Sequence, residues 1–189
     1  ERVVLQGFGI LALKQGLEEG RPAVEKAIGS DTSNPINHAL LAMLNSDDPD
    51  RAIISLETAL EFWPNEPEWH SIAADLHTKI GNTDLAAHHI ALALDVQPEN
   101  SKYWQKSAEI KLNENSLYEA KMDLEKSAAY QAKDPAIWVR MADVNRRLGN
   151  MTEAIGNIQK ASALDPSNID IITQEVQFLL EQKNFKDAE

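Results

Sequence analysis

The stretch PAIWVRMADVNRRLGNMTEAIGNIQKASALDPSN, residues 135–168, decides the architecture, because its small, aliphatic and proline positions return every 34 residues. Alanine recurs at Ala52, Ala86, Ala120, Ala154 and Ala188. A second small column runs Ala59, Ala93, Ser127 and Ala161, and between the two runs an aliphatic column of Leu56, Ile90, Leu124 and Ile158. Proline closes the unit at Pro64, Pro98 and Pro166, with Ala132 in the remaining place. Four columns in one phase mean one small unit copied and stacked, each copy burying its face on its neighbours. Within the quoted unit, Trp138, Met141, Val144 and Leu148 step by three and four residues, which marks one buried helix face.

Counted from Ser33, Pro67, Ser101, Pro135 and Ile169, the fourth unit reads Trp138-x2-Met141-Ala142-x2-Asn145, then Ala154-x3-Ile158, Ala161 and Pro166. This resembles the tetratricopeptide repeat (TPR). Trp104 and Trp138 meet the family's tryptophan, Trp69 lies one residue early, and Ile36 and Ile172 stand in elsewhere. The family's glycine at position 8 is replaced by Leu40, Ala74, Ala108, Ala142 and Val176. Its tyrosine at position 11 gives way to Met43, His77, Lys111, Asn145 and Leu179. The resemblance covers residues 33 to 189 and implies an all-α fold, a right-handed superhelical solenoid of antiparallel helix hairpins. Four complete units are expected at 33–66, 67–100, 101–134 and 135–168, with a partial fifth at 169–189.

Each hairpin brings two helices close together at positions 8 and 20, where a large side chain would force them apart. Gly81 and Gly149 fall where the first helix must end in left-handed geometry, and Asp47 and Asn115 are expected to serve in the same place. Residues 1–32 depart from the register. Helices are expected at Arg2–Gln15 and Pro22–Ile28, interrupted by glycines, as a degenerate capping hairpin or the end of a preceding domain. The missing initiator methionine and the half hairpin after Ile169 read as a fragment of a longer protein.

The formal net charge is −12, with Lys and Arg scattered, which argues against a phosphate-binding track and so against nucleic acid. No apolar run reaches the length of a membrane span, so no direct membrane insertion is expected. The absence of cysteine removes disulfides, thiolate catalysis and cysteine-held zinc from this segment, and leaves the compartment undecided. Gly7-Phe8-Gly9 lacks the continuation of a phosphate loop, and the acidic turns read as solvated faces. Asn150-Met151-Thr152 has the pattern of a glycosylation sequon, which a turn role explains. No nucleophile, base and orienting partner come together, so no enzyme is expected and no cofactor is assigned.

In the family, positions 2, 5, 9, 12 and 13 of each first helix face a concave groove, and the spacing of 5, 9, 12 and 13 puts those four on one stripe. The resemblance therefore implies a partner-binding set of Asn37, Leu41 and Asn45; Ser71, Asp75 and Lys79; Gln105, Glu109 and Asn113; and Val139, Asp143, Arg146 and Arg147. Position 9 is acidic three times running, at Asp75, Glu109 and Asp143, which favours a basic or amine-bearing peptide. The alternative is neutralisation within each helix. Lys79 and Arg147 follow Asp75 and Asp143 by four residues, while Lys106 and Arg140 precede Glu109 and Asp143 by three. The family's clamp for a chaperone tail's carboxylate needs a set of Lys, Asn and Arg that no two of these units supply.

His70 and His77 occupy family positions 4 and 11, so packing inside the hairpin is expected for them and metal binding is not. Adjacent His88 and His89 point about 100° apart on a helix. Trp104 and Trp138 are expected in hairpin cores. Trp63, in Phe62-Trp63-Pro64, is the tryptophan expected at the surface. The reading is a protein-interaction scaffold or adaptor that holds a peptide or partner helix. A recruiting segment of a larger enzyme or assembly factor is the alternative. Self-association through the stack ends is a third course, suggested by Phe178, Leu179 and Phe185 on the last helix.

Overall fold

The structure, a computed structural model, describes residues 21–188, with side chains to residue 183. Every regular element among the described residues is an α-helix. In order these are α1 (Arg21–Ser30), α2 (Pro35–Leu44), α3 (Pro49–Phe62), α4 (Pro67–Lys79) and α5 (Thr83–Val96). Then come α6 (Ser101–Asn113), α7 (Leu117–Tyr130), α8 (Pro135–Arg147), α9 (Met151–Leu164) and α10 (Ile169–Ala188). The helix boundaries follow the 34-residue register. The expected helix at Pro22–Ile28 is α1, and the one at Arg2–Gln15 lies outside the described residues, as does Gly7-Phe8-Gly9.

The chain divides into two compact units at Pro98 and Glu99. In the first, α1 packs on α2, α2 pairs with α3, α3 meets α4, and α4 pairs with α5. In the second, α6 pairs with α7, α7 meets α8, α8 pairs with α9, and α9 packs on α10. Each unit is a stretch of all-α helical-repeat solenoid.

The small columns are where the helices touch. Ala52, Ala86, Ala120 and Ala154 are fully buried, as are Ala59, Ala93, Ser127 and Ala161. Ala108 shares a core with Ala120 and Leu124, and Ala142 shares one with Ala154 and Ile158, so positions 8 and 20 meet as the pattern required. Leu40 stands at position 8 of its unit without forcing the hairpin open, because it packs with Val24 of α1 and Leu44. Leu56 and Leu124 are among the largest fully buried side chains. Truncating such a residue to alanine typically costs about 2–5 kcal/mol.

Helix starts are fixed by side-chain caps. Asn34, Asn100 and Asp134 each accept a hydrogen bond from the backbone N–H two residues on, at 3.1, 3.1 and 3.0 Å. Three hairpin turns share one closure. Gly81, Asn115 and Gly149 have φ of 80°, 59° and 80°. The next N–H, from Asn82, Ser116 or Asn150, reaches back to the carbonyl of His77, Lys111 or Asn145 at 2.8–2.9 Å. That is the Schellman closure, and it explains the left-handed residue. The turn role expected for Asn150 is met by this bond. Asp47 does not join the set. Its hairpin turns through Asn45 instead, whose carbonyl accepts from the Asp48 N–H at 2.8 Å, and Asp48 caps α3.

A Cβ at Gly81 or Gly149 would meet nothing within 4 Å. The only penalty of alanine there is the left-handed backbone. Gly81→Ala and Gly149→Ala are each expected to lower unfolding free energy by about 1 kcal/mol, whereas Asn115→Gly changes it by only a few tenths. Denaturant titrations of the three variants check this ordering.

Candidate functional site

The residues assigned to a groove do not share one environment. Asn37 and Ser71, both at position 5, are buried, so a partner at the surface does not reach them. Leu41 and Asn45 are half-buried, and the Asn45 carboxamide oxygen accepts from the Arg21 guanidinium at 2.6 Å. Gln105 and Val139 are half-buried, and Gln105 donates to the Asp134 carboxylate at 3.1 Å. Asp75, Lys79, Glu109, Asn113 and Arg147 are exposed, and Asp143 and Arg146 partly so. Position 5 is therefore closed off at Asn37 and Ser71 and half-covered at Gln105 and Val139, and the fully exposed members of the set lie at positions 9 and 13.

Of the acids on this stripe, one is paired across helices and another within its own helix. Glu109 faces Arg140 of the next first helix at 3.3 Å. Asp143 pairs with Arg146 at 2.8 Å, three residues on instead of four. Arg147 donates to the Asn115 side chain at 3.0 Å, and Lys79 reaches the Ser46 carbonyl at 3.4 Å. Both ion pairs are around half exposed, where such contacts are worth about 0–1 kcal/mol.

A second constellation was only half visible in the sequence. Position 11 lies opposite position 23 inside each hairpin, and three consecutive units fill both with polar groups. In the hairpin of α4 and α5, His77 and His89 stack with ring centroids 5.3 Å apart and planes 10° apart. In that of α6 and α7, Lys111 Nζ lies 2.6 Å from Asp123, a buried carboxylate that also accepts from Ser107 Oγ at 2.6 Å. In the hairpin of α8 and α9 the positions hold Asn145 and Asn157, both buried. The loss of tyrosine at position 11 announced one member of each pair. The signal for the other was a polar residue twelve places later.

The histidines of α4 and α5 form the densest titratable cluster. His70 Nε2 lies 2.8 Å from the Pro64 carbonyl, which can only accept, so that nitrogen carries the proton. His70 Nδ1 is then an acceptor, and His89 Nδ1, 3.0 Å away, donates to it. Neither ring nitrogen of His77 finds a hydrogen-bond partner among the described residues. His88 is exposed and packs edgewise on His89 at 5.8 Å. Among the described residues no group of three His or carboxylate side chains is arranged to hold a metal ion. The near-parallel stack of His77 on His89 gives the reason, since its in-plane lone pairs do not converge.

Burial, and then the neighbouring His70, His77 and His88, push His89 down to about 4. Burial also lowers His77, partly offset by Glu57 on α3.

Matches to known proteins follow the geometry. The sequence profile described as tetratricopeptide repeat matches residues 135–168. The fold is similar to that of MamA (TM-score 0.77, 17% identity, 84% of this chain and 94% of that one). It is also similar to that of PilF of Pseudomonas aeruginosa (0.79, 17%, 100% and 93%). Residues 135–168 thus match a tetratricopeptide repeat, within an all-α helical-repeat fold. YrrB, described as a TPR protein with an unusual peptide-binding site, is another similar fold (0.77, 15%, 93% and 92%). No curated protein matches the sequence. Tetratricopeptide repeats serve in general as protein-interaction scaffolds. Among the described residues no helix is long and apolar enough to cross a membrane.

The histidine cluster makes stability depend on pH with a definite sign. An imidazole whose folded pKa lies below its unfolded value of about 6.5 binds its proton more readily in the unfolded chain. Its contribution is complete above about pH 6.5 and declines as pH falls toward 4. His89→Leu is expected to remove that slope, so the unfolding free energy of wild type relative to the variant falls by about 1 kcal/mol between pH 7 and pH 5. Denaturant titrations of both proteins at the two pH values check it, and parallel curves would count against a neutral buried His89.

Proposed function

We propose that the exposed first-helix stripes, Asp75 with Lys79 in one unit and Glu109, Asn113, Asp143, Arg146 and Arg147 in the other, bind a peptide or helix of a partner protein and select basic character in it. The observation that carries this reading is the acid at position 9 within each unit, exposed at Asp75 in the first, and exposed at Glu109 and partly so at Asp143 in the second. A net charge of −12 extends the same preference to longer range, where it raises the encounter rate of a cationic partner.

The existing ion pairs do not oppose this. Glu109 with Arg140 and Asp143 with Arg146 are exposed pairs of small worth, so a partner's guanidinium or ammonium exchanges for them at little cost. The same arginines remain available to a carboxylate on the partner, which would fix the direction of the bound segment. Lys79, Asn113 and the apolar edge of Val139 supply hydrogen bonds and contact along an extended backbone.

The test is the double variant Asp75→Lys with Glu109→Lys, titrated against an Arg- and Lys-rich peptide in low salt. Affinity is expected to fall roughly tenfold, from two lost surface pairs and the repulsion that replaces them, with helical circular dichroism unchanged. Equal affinity of the variant and the wild type would retire the stripe as a binding surface.

A further inference from the structure

The hairpin of α4 and α5 handles its tryptophan differently from the two hairpins that follow. In those, the indole at position 4 is covered by the chain's own cation at position 26. Lys126 Nζ lies 4.1 Å from the Trp104 ring centroid, and Lys160 Nζ lies 4.3 Å from that of Trp138. Trp138 also donates from Nε1 to the Ala132 carbonyl six residues back, at 2.8 Å, which ties the helix start to the preceding loop.

In the unit beginning at Pro67 the equivalent tie is made by His70, whose Nε2 donates to the Pro64 carbonyl, also six residues back and also at 2.8 Å. With histidine doing that work, the indole sits one residue earlier, at Trp69. It stacks on Trp63 with centroids 5.6 Å apart and planes within 6°. Position 26 is Leu92, so this unit has no lysine of its own to cover the stack. Trp63 is 44% exposed, and Phe62 beside it 48%. No cation lies over Trp63 or Trp69 among the described residues. Trp69 packs on the core between α3 and α4, but Trp63 does not belong to that core, and the later units carry Gln97 and Gln131 in its place.

The surroundings say what chemistry fits the uncovered face. From residue 52 to residue 78 the chain has no Lys or Arg, while Glu57, Glu61, Glu66 and Glu68 fall in that span close in sequence to the aromatic pair. Glu61 and Glu68 are exposed and flank the aromatic pair in sequence. An indole face attracts an ammonium or guanidinium through its quadrupole, and adjacent carboxylates strengthen the attraction. A stacked partner holds the ring flat, so little side-chain entropy is lost on binding.

We propose that the Trp63–Trp69 stack is a docking surface for a basic segment of a partner protein, with one Lys or Arg side chain lying over the Trp63 indole as Lys126 and Lys160 lie over theirs. This surface does not rest on the position-9 stripe. Asp75 is six residues from Trp69 on the same helix, about 120° around its axis, so the two readings fail separately.

The experiment uses the whole chain with its four indole N–H resonances assigned, and three 12-residue probes composed of Lys and Gly, Glu and Gly, or Leu and Ser. The Lys/Gly peptide is expected to shift the Trp63 and Trp69 indole signals, with Trp104 and Trp138 as internal controls already covered by lysine. Trp63→Leu is expected to weaken that peptide roughly two- to fivefold, the size of an exposed cation–π contact, while Trp63→Phe keeps most of the affinity. A thermal melt of each variant confirms an unchanged fold at this exposed position. A Trp63 signal that stays still at saturation, one that moves equally with the Glu/Gly or Leu/Ser probe, or wild-type affinity in Trp63→Leu overturns the proposal.

Discussion

Everything in this chain depends on how closely two helices approach at an alanine. Ala52, Ala86, Ala120 and Ala154 are sealed completely, and one turn further along each helix an aliphatic side chain fills the space beside them. A methyl group at that crossing lets the backbones come near enough for Leu56 or Leu124 to be enclosed on all sides. A larger residue would prop the hairpin open and leave a gap with no atoms to fill it. Because the same approach recurs in each copy, stability is shared among neighbouring faces and no single central core is needed.

That close approach has a consequence for position 11. Once the helices are set by the alanines, whatever stands at positions 11 and 23 is brought face to face away from water. The family's tyrosine would place an aromatic ring there. This chain places two imidazoles, then a lysine and an aspartate, then two carboxamides. The three solutions carry different costs. The Lys111–Asp123 pair is matched in charge and supported by Ser107. The His77–His89 stack stays neutral, since neither ring has a carboxylate bonded to it among the described residues. Asn145 leaves side-chain atoms without partners among the described residues. One fold thus contains hairpins of unequal polarity, with acid acting on one of them in particular.

The outer surface follows a separate logic. Scaffolds of this kind act by presenting side chains from a rigid repeat, and two features here present negative charge or π density without a buried counterpart. Of the position-9 acids, Glu109 and Asp143 pair with half-exposed arginines. In the unit starting at Pro67, His70 makes the backbone tie that Trp138 makes in the unit starting at Pro135, and the indole next to it stacks on Trp63 instead. The last helix shows the reverse case. Phe178, expected as exposed surface for self-association, turns inward and packs with Ile171 in the core with α9. Leu179 remains exposed, and the Phe185 side chain lies outside the described residues.

The sequence by itself determined the repeat length, the all-α hairpins, the small-residue crossings and the left-handed turns at Gly81 and Gly149. These are properties of local spacing and of single residue types, repeated often enough to be read without coordinates. It also marked Trp63 as exposed, because a bulky aromatic stood where the pattern calls for a polar residue. Which side chains meet was decided only by tertiary structure. Arg140 pairs with Glu109 from a different hairpin, and His89 meets His70 and His77 across nineteen and twelve residues of chain. Asn37 and Ser71 are buried although their helical spacing placed them with the exposed stripe. A helix's periodicity says which residues share a face. It does not say how much of that face its neighbours cover, because coverage depends on the helices packed against it.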